Sequence, residues 1–348
     1  MAKGIGFPGL RKLSLLLVVF VLVLATAVLL LEQNLYSMIL ALQRADYFFV
    51  LLALFAYLIG LVFWTLRWRI TLSTVGYLLR MRNIYLVILG GIFINNVTPF
   101  TYAGGDPFAR SYILKKTQKV PYSCGLATIL TEFIIDFPIY FSLIALGILL
   151  SVYWTSLWYL IFVVTVWMAI LVGWSWIFTK VLSRAAGARL IAGALSRVMK
   201  FFRKSSNKLK LKKTVERFYS KADCIVTNRR VVVYVILLSV VLWIFAISRL
   251  YFIFLAFRYT PPLHMLVFAV TLPAIVGMIP VLPGGLGTVD ATIASVFLVF
   301  GTPLGIAISA TLIERAITLV FSTFVGAGSL SYLGIKYRNT TAPKARRK

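Results

Sequence analysis

Six runs of apolar residues, each long enough to cross a bilayer, constrain this chain more than any other feature. They occupy residues 13–31, 48–66, 123–150, 157–178, 231–257 and 304–335, and a hydrocarbon core of ~30 Å is spanned by about 20 such residues in a helix. Inside that core a chain must satisfy its own backbone, so each run reads as a spanning helix. The first run follows Lys3, Arg11 and Lys12 and carries Ala25-Thr26-Ala27, in the manner of a signal peptide. Its 19 residues are nevertheless long enough to span, and it reads as an uncleaved anchor.

Two further apolar segments are short and broken. Residues 84–94 give way to Asn95-Asn96-Val97-Thr98-Pro99 and then Gly104-Gly105-Asp106-Pro107. The segment from Leu263 carries Pro273, Pro280 and Pro283, then Gly284-Gly285-Leu286-Gly287 and a short helix-like stretch to Phe300. At 1.5 Å per residue, roughly 11 residues cover about half of the core. The loops rich in Lys and Arg are the N-terminus, 67–82 with four arginines, 115–119, 180–230 and the tail from Lys336, whereas 32–47, 153–156 and 258–262 are poor in charge. The positive-inside rule puts the basic set and both termini in the cytoplasm. That assignment is consistent only if 84–114 enters from the cytoplasm and returns there, and 263–300 does the same from outside. The expected fold is therefore an all-α polytopic membrane protein, with six spanning helices and two re-entrant helical hairpins in a single transmembrane domain, 1–348. Its halves, 13–150 and 157–335, repeat one plan from opposite faces, the inverted repeat of transporters. Irregular backbone at membrane depth also implies a cavity.

The 36 basic and 9 acidic residues leave a net charge of +27. No nucleic-acid-binding pattern accompanies that charge, and its position between apolar runs points to topology and anionic lipid headgroups. Segment 180–230 holds 15 basic and two acidic residues. Within it Leu190, Ile191, Ala194, Leu195, Val198, Phe201 and Phe202 recur at helical spacing opposite Arg189, Arg197, Lys200, Arg203 and Lys204. This is either a basic amphipathic helix on the inner leaflet or a solvated linker. Cys124, Cys224 and the single histidine, His264, are too few for a zinc site, a disulfide framework or histidine-based catalysis. No cofactor or metal is implied, and without a GxxxxGK[ST] pattern direct use of ATP is not expected. His264, Trp64, Trp68, Trp154 and Trp158 read as interfacial anchors.

Five of the nine acids, Asp106, Glu132, Asp136, Asp290 and Glu314, fall within or beside apolar segments, at a cost of at least ~2.5 to 3.5 kcal/mol for a charge at the bilayer centre. Glu132 lies 11 residues past Pro121, roughly 16 Å along a helix, with Asp136 one turn further on the same face. The matching cations are Arg110, Arg249 and Arg315. An arginine fork suits phosphate or carboxylate; the plainer reading is that acids and arginines pair to fix helix packing. The glycines can take positive φ and bring backbone N–H groups to an anion. Candidate substrate contacts are thus Asn95, Asn96, Thr98, Gly104, Gly105, Asp106 and Arg110 from the first hairpin, Glu132 and Asp136 from the helix after it, and Arg249. The second hairpin and last helix add Gly284, Gly285, Asp290, Glu314 and Arg315. The order of these groups repeats: Asp106 precedes Glu132 by 26 residues, and Asp290 precedes Glu314 by 24.

The stretch Asn95-Asn96-Val97-Thr98-Pro99 through Gly104-Gly105-Asp106-Pro107-Phe108-Ala109-Arg110-Ser111-Tyr112, with Leu282-Pro283-Gly284-Gly285-Leu286-Gly287 and Glu314-Arg315, resembles the lysylphosphatidylglycerol synthase transmembrane region, also called the flippase-like domain. The resemblance runs from about Leu13 to Ile335. It implies a polytopic protein with re-entrant helices that binds a lipid and moves it between leaflets without covalent chemistry. The lipid would be a phospholipid or a polyprenyl-phosphate-linked lipid. Bifunctional members carry the aminoacyl-transferase in a soluble domain after the membrane region; here 13 residues follow Ile335, so synthase activity is not expected. Two other readings stand beside this one: a small-solute or ion transporter, and a lipid-presenting scaffold for a partner glycosyltransferase or synthase. Homo-oligomerisation is compatible with all three, and the expected location is the cell membrane.

Overall fold

The computed structural model describes residues 43, 45–98, 105–151, 157–182, 208–277 and 282–341, and their regular structure is entirely helical. In chain order the helices are α1 (Tyr47–Thr74), α2 (Met81–Val97), α3 (Gly105–Gln118), α4 (Tyr122–Ser151), α5 (Leu157–Leu182), α6 (Lys208–Val226), α7 (Arg229–Ala256), α8 (Leu263–Val276), α9 (Thr288–Val299), α10 (Leu304–Arg315) and α11 (Ser322–Thr341). A 3-10 turn, Pro283–Gly285, precedes α9, and a π-helical stretch, Ala316–Phe321, joins α10 to α11. The apolar run 13–31 and the amphipathic pattern 189–204 lie outside the described residues.

Among the described residues, four helices are long and apolar enough to cross a membrane: Tyr47–Thr74, Tyr122–Ser151, Arg229–Ala256 and Leu304–Gly334. Shorter apolar helices accompany them, and the protein is a multi-pass membrane protein. Asp46 starts α1 by accepting a hydrogen bond from Phe48 N at 3.0 Å. Its own N–H donates to Ala256 O at 2.9 Å, so the first turn of α1 is tied to the last turn of α7. The two helices pack along their lengths, running in opposite directions. Asn228 caps α7 by accepting from Val231 N. Pro138 sits inside α4, where its missing N–H leaves the Ile134 carbonyl without its helical donor.

The two short helix pairs pack internally, α2 on α3 and α8 on α9. Each also leans on a long helix from elsewhere in the chain: α2 on α11, and α8 on α4. Glycine sets the first of these approaches. A Cβ at Gly326 would lie 2.5 Å from Leu89 O and 2.8 Å from Phe93 Cβ, and one at Gly90 would lie 2.7 Å from Leu330 Cδ2, so small residues bring the backbones together, as they do between helices in lipid. The turn before α9 reaches the end of α2. Gly284 has φ +63°, and a Cβ there would meet Leu319 Cδ1 at 2.6 Å and Asn96 O at 3.1 Å. Asn96 in turn spends its amide on the junction of the π-helical stretch and α11, donating to Ser322 Oγ and Thr323 Oγ1 at 2.9 Å each and to Leu319 O at 3.4 Å.

Two expectations need correction. Helix α1 does not stop with its apolar run at residue 66; it continues to Thr74, drawing Arg67 and Arg69 out of the supposed basic loop. Asn95 and Asn96 do not end α2 but belong to its last turn, because their side chains find partners inside the protein. The helix is therefore 17 residues long, about 25 Å, still short of a ~30 Å core. Within the basic segment 180–230 the described part adds a helix of its own. Residues 208–226 form α6, with Phe218, Tyr219 and Ala222 buried against Leu126, Ala127 and Leu130 of α4.

Candidate functional site

A cavity of about 270 Å³ lies among α1, α2, α3, α4 and α7. Its walls carry an unusual density of charge for a protein of this hydropathy: Arg67 from α1, Asp106 and Arg110 from α3, Glu132 and Asp136 from α4, and Arg249 from α7. Asn95, Trp64, Tyr140, Ser239 and Trp243 complete the polar and aromatic lining.

Arg67 is the hub of one end. Its Nη1 donates to Asp136 Oδ1 and Oδ2 at 2.8 and 2.9 Å and to Ser239 Oγ at 2.7 Å. Its Nη2 lies 3.3 Å from Glu132 Oε2. Ser239 Oγ donates onward to Asp136 Oδ1 at 2.7 Å, and Thr71 Oγ1 donates to Glu132 Oε1 at 2.8 Å. One guanidinium thus ties α1, α4 and α7 together through charge-assisted hydrogen bonds, the strong kind.

Arg110 is buried deeper, with 1% of its surface exposed. Its Nη2 donates to Asp106, one turn earlier on α3. The guanidinium lies over the rings of Trp64 and Trp68, 4.9 and 5.0 Å from their centroids, a cation–π arrangement that desolvation strengthens. Gly91 on α2 leaves the space that the Arg110 stem fills. Among the described residues, Arg110 Nε and Nη1, Trp64 Nε1 and Asp106 Oδ1 are buried and find no hydrogen-bond partner. Buried polar atoms are rarely left so, and here three of the four are donors gathered around one cation.

The opposite end belongs to Arg249, which lies over the Tyr57 ring and grips Glu314 in a two-point fork: Nε to Oε2 at 2.9 Å and Nη2 to Oε1 at 2.7 Å. The depth of the two ends follows from the Asp46–Ala256 tie. Arg67 stands 21 residues beyond Asp46 and Arg249 seven residues before Ala256, which at 1.5 Å per residue separates them by roughly 20 Å along the paired helix axes. Their placement is matched. Arg67 and Arg249 each stand 20 residues after the first residue of a 28-residue helix, and Glu132 and Glu314 each stand 10 residues after the first residue of theirs.

Of the residues singled out from sequence, Asn95, Asp106, Arg110, Glu132, Asp136 and Arg249 meet at the cavity, and Glu314 joins them through Arg249. The others do not line it. Asn96 faces the π-helical stretch, Thr98 Oγ1 bonds Ile94 O at 2.8 Å, Gly105 opens α3, and Gly104 is outside the described residues. Gly284 and Gly285 form the turn before α9. Asp290 and Arg315 make a separate group there: Arg315 Nε is 2.6 Å from Asp290 Oδ1, and its Nη2 donates to Gly284 O at 2.7 Å. Asp290 Oδ2 accepts from Gly287 N at 2.7 Å. The start of α9 is therefore occupied by the chain's own carboxylate, where the sequence reading offers it to a guest.

Sequence reasoning misses Arg67, Trp64, Trp68, Thr71 and Ser239. Trp68 is no interfacial anchor: it is fully buried, with Nε1 donating to Thr128 Oγ1 at 3.0 Å. The signal was present, since Gly60, Trp64, Arg67 and Thr71 fall at helical spacing and mark one polar face through the end of the apolar run. Among the described residues no group of three histidine, cysteine or acidic side chains is placed to hold a metal ion.

The sequence matches the family described as lysylphosphatidylglycerol synthase TM region over residues 13–326. It is 31% identical over 328 residues to a UPF0104 membrane protein of Methanothermobacter thermautotrophicus, covering 93% of this chain and 96% of that protein. It is 28% identical to a UPF0104 membrane protein of Methanocaldococcus jannaschii, covering 80% and 82% of the two chains. A third, from Pyrococcus horikoshii, is 27% identical, with 82% and 87% covered. No solved structure matches the chain.

Proposed function

Because the chain belongs to the lysylphosphatidylglycerol synthase TM region family, whose UPF0104 membrane proteins it resembles along nearly its whole length, we propose that it is a lipid flippase or scramblase. It moves a phospholipid or polyprenyl-phosphate-linked lipid between leaflets by non-covalent steps. The observation that carries this reading is the set of unmet donors at Arg110 and Trp64 inside a charged cavity. A phosphate oxygen accepts from Arg110 Nε and Nη1 and from Trp64 Nε1, and an arginine fork is suited to that oxyanion geometry.

The carboxylates set the other half of the specificity. Arg67, Arg110 and Arg249 face Asp106, Glu132, Asp136 and Glu314, so the fully ionised cluster carries one negative charge too many. In a site of low dielectric that surplus must be met, by a cationic group on the headgroup or by a proton or cation that travels with it. Any drive then comes from an ion gradient or from mass action.

The matched offsets of the Arg–Glu pairs support two inverted repeats, 13–150 and 157–335, with α2–α3 and α8–α9 as their re-entrant hairpins. The packing supports the same reading: α1 lies on α7, while each hairpin leans on the closing helix of the other half. On this reading both termini face the cytoplasm, as the basic loops require.

The test is leaflet exchange in liposomes, measured with a labelled phospholipid panel and a polyprenyl-phosphate analogue for the wild type, Asp106→Asn and Arg110→Gln. Losing a charge-assisted hydrogen bond of about 1.5 to 3 kcal/mol predicts a fall of about 10- to 100-fold for Arg110→Gln. Absence of exchange across the panel, with the protein folded, refutes the proposal, and transport of a water-soluble anion instead identifies a solute carrier.

A further inference from the structure

Behind the polar cavity, on the far side of the contact between α4 and α7, lies a second cavity of about 640 Å³ with an almost entirely apolar lining. Ile135, Pro138, Ile139 and Leu146 of α4 form one wall, and Ile236 and Val240 of α7 another, with α5 closing the third side. The two cavities share their helices residue by residue. On α4, Glu132, Phe133, Asp136 and Tyr140 face the polar cavity while Ile134, Ile135, Pro138 and Ile139 face the apolar one. On α7, Ser239, Leu242 and Trp243 face the first while Ile236 and Val240 face the second.

Two contacts close the seam between them. Ser239 Oγ donates to Asp136 Oδ1 at 2.7 Å, and the Tyr140 and Trp243 rings meet edge to face at 4.8 Å. The first is only as firm as Arg67, which holds both Asp136 and Ser239 through Nη1. An anion reaching Arg67 competes for that same Nη1 and loosens the latch. Pro138 weakens α4 beside the seam by removing one rung of its hydrogen-bond ladder. The α4 wall from Ile134 to Leu146 extends 12 residues, about 18 Å, which is close to the depth of one leaflet of a ~30 Å core.

We propose that this groove holds the apolar chain of the lipid whose headgroup occupies the polar cavity, the lipid straddling the α4–α7 seam with the Asp136–Ser239 and Tyr140–Trp243 contacts opening around it. The proposal rests on the lipid-translocation reading and adds to it a chain-binding site and a sideways door. Adjacency to the headgroup cavity across a single seam of α4 and α7 selects the occupant: a soluble anion uses the polar side alone and leaves the groove without a role.

The experiment compares leaflet exchange of radiolabelled dipalmitoyl- and dihexanoyl-phosphatidylglycerol in phosphatidylcholine vesicles, for wild-type protein and for Val240→Trp. Filling the groove should cut exchange of the long-chain lipid about tenfold, the scale of penalty that overpacking a formed apolar site imposes, and leave the short-chain lipid within about twofold. An unchanged long-chain rate, or an equal fall for both lipids, overturns the proposal. A wild type that exchanges neither lipid fails at the earlier step and counts against translocation itself. A second measurement needs no variant: phosphatidylglycerol with a photoactivatable acyl chain is irradiated with the wild type. Adducts on Ile139 or Leu143, which line the groove and are only partly exposed, should exceed those on the exposed α5 residues Phe162 and Val166 several-fold. Equal labelling of groove and exposed surface marks ordinary bilayer contact and overturns the proposal.

Discussion

Replacing Arg67 with Met isolates the charge balance at one end of the cavity. The substitution keeps an unbranched apolar stem and deletes the guanidinium that donates to Asp136 at 2.8 and 2.9 Å, to Ser239 at 2.7 Å and approaches Glu132 at 3.3 Å. Glu132 and Asp136 are 1% and 7% exposed, so water cannot replace what is lost. Removing one partner of a buried ion pair costs about 3 to 5 kcal/mol, chiefly because the remaining charge is stranded. Set against a total stability of about 5 to 15 kcal/mol, this predicts a fall in Tm on the order of 10 °C. The control is the triple variant Arg67→Met/Glu132→Gln/Asp136→Asn, which removes the charges together and should recover more than half of the loss. Thermal unfolding in detergent, followed by tryptophan fluorescence, reads both. An Arg67→Met variant that melts within about 2 °C of wild type, or a triple variant no more stable than the single one, refutes the argument that stranded charge is the cause.

Two further substitutions probe the frame around the site. Gly326→Val places a branched side chain where even a Cβ lies 2.5 Å from Leu89 O; pushing α11 off α2 should cost about 1 to 3 kcal/mol by the overpacking rule, read as a lowered Tm. Asn96→Leu removes the amide that reaches Ser322, Thr323 and Leu319. A loss of about 1 to 2 kcal/mol in unfolding free energy is expected, and no loss would mean that the amide does not help hold α2 to the π-helical stretch.

Much of the scaffold could be read from hydropathy because bilayer thickness leaves so little choice of element. The apolar runs 48–66, 123–150, 231–257 and 304–335 all fall in helices long enough to cross the membrane. The boundaries were the weak point, and they mattered most at Arg67. Hydropathy ends a helix where charge begins, whereas the helix itself ends where its backbone stops being satisfied, and α1 carries two arginines before that point. Trp64 and Trp68 mislead for the same reason: near the end of an apolar run, tryptophan has the look of an interfacial belt. The acids were more legible, since a carboxylate in an apolar run is conspicuous by its cost. What sequence could not show is that Glu132, Asp136, Asp106 and Arg249, from three helices, converge on one cavity while Asp290 and Arg315 close on each other. That division depends on side-chain pairing across sequence separations that no local pattern encodes.

The π-helical stretch between α10 and α11 has a consequence for how one rod serves two neighbours. Each residue added to a helix turns everything after it by about 100°, and a π turn is such an addition. Upstream of it, Glu314 points to Arg249 on α7. Downstream, Gly326 lies against Leu89 and Phe93 of α2, and Ser329 Oγ donates to Leu86 O at 2.7 Å. The stretch acts as a phase shifter: it dials the two faces independently, so that a rigid rod can stay in step with α7 at one level of the membrane and with α2 at another.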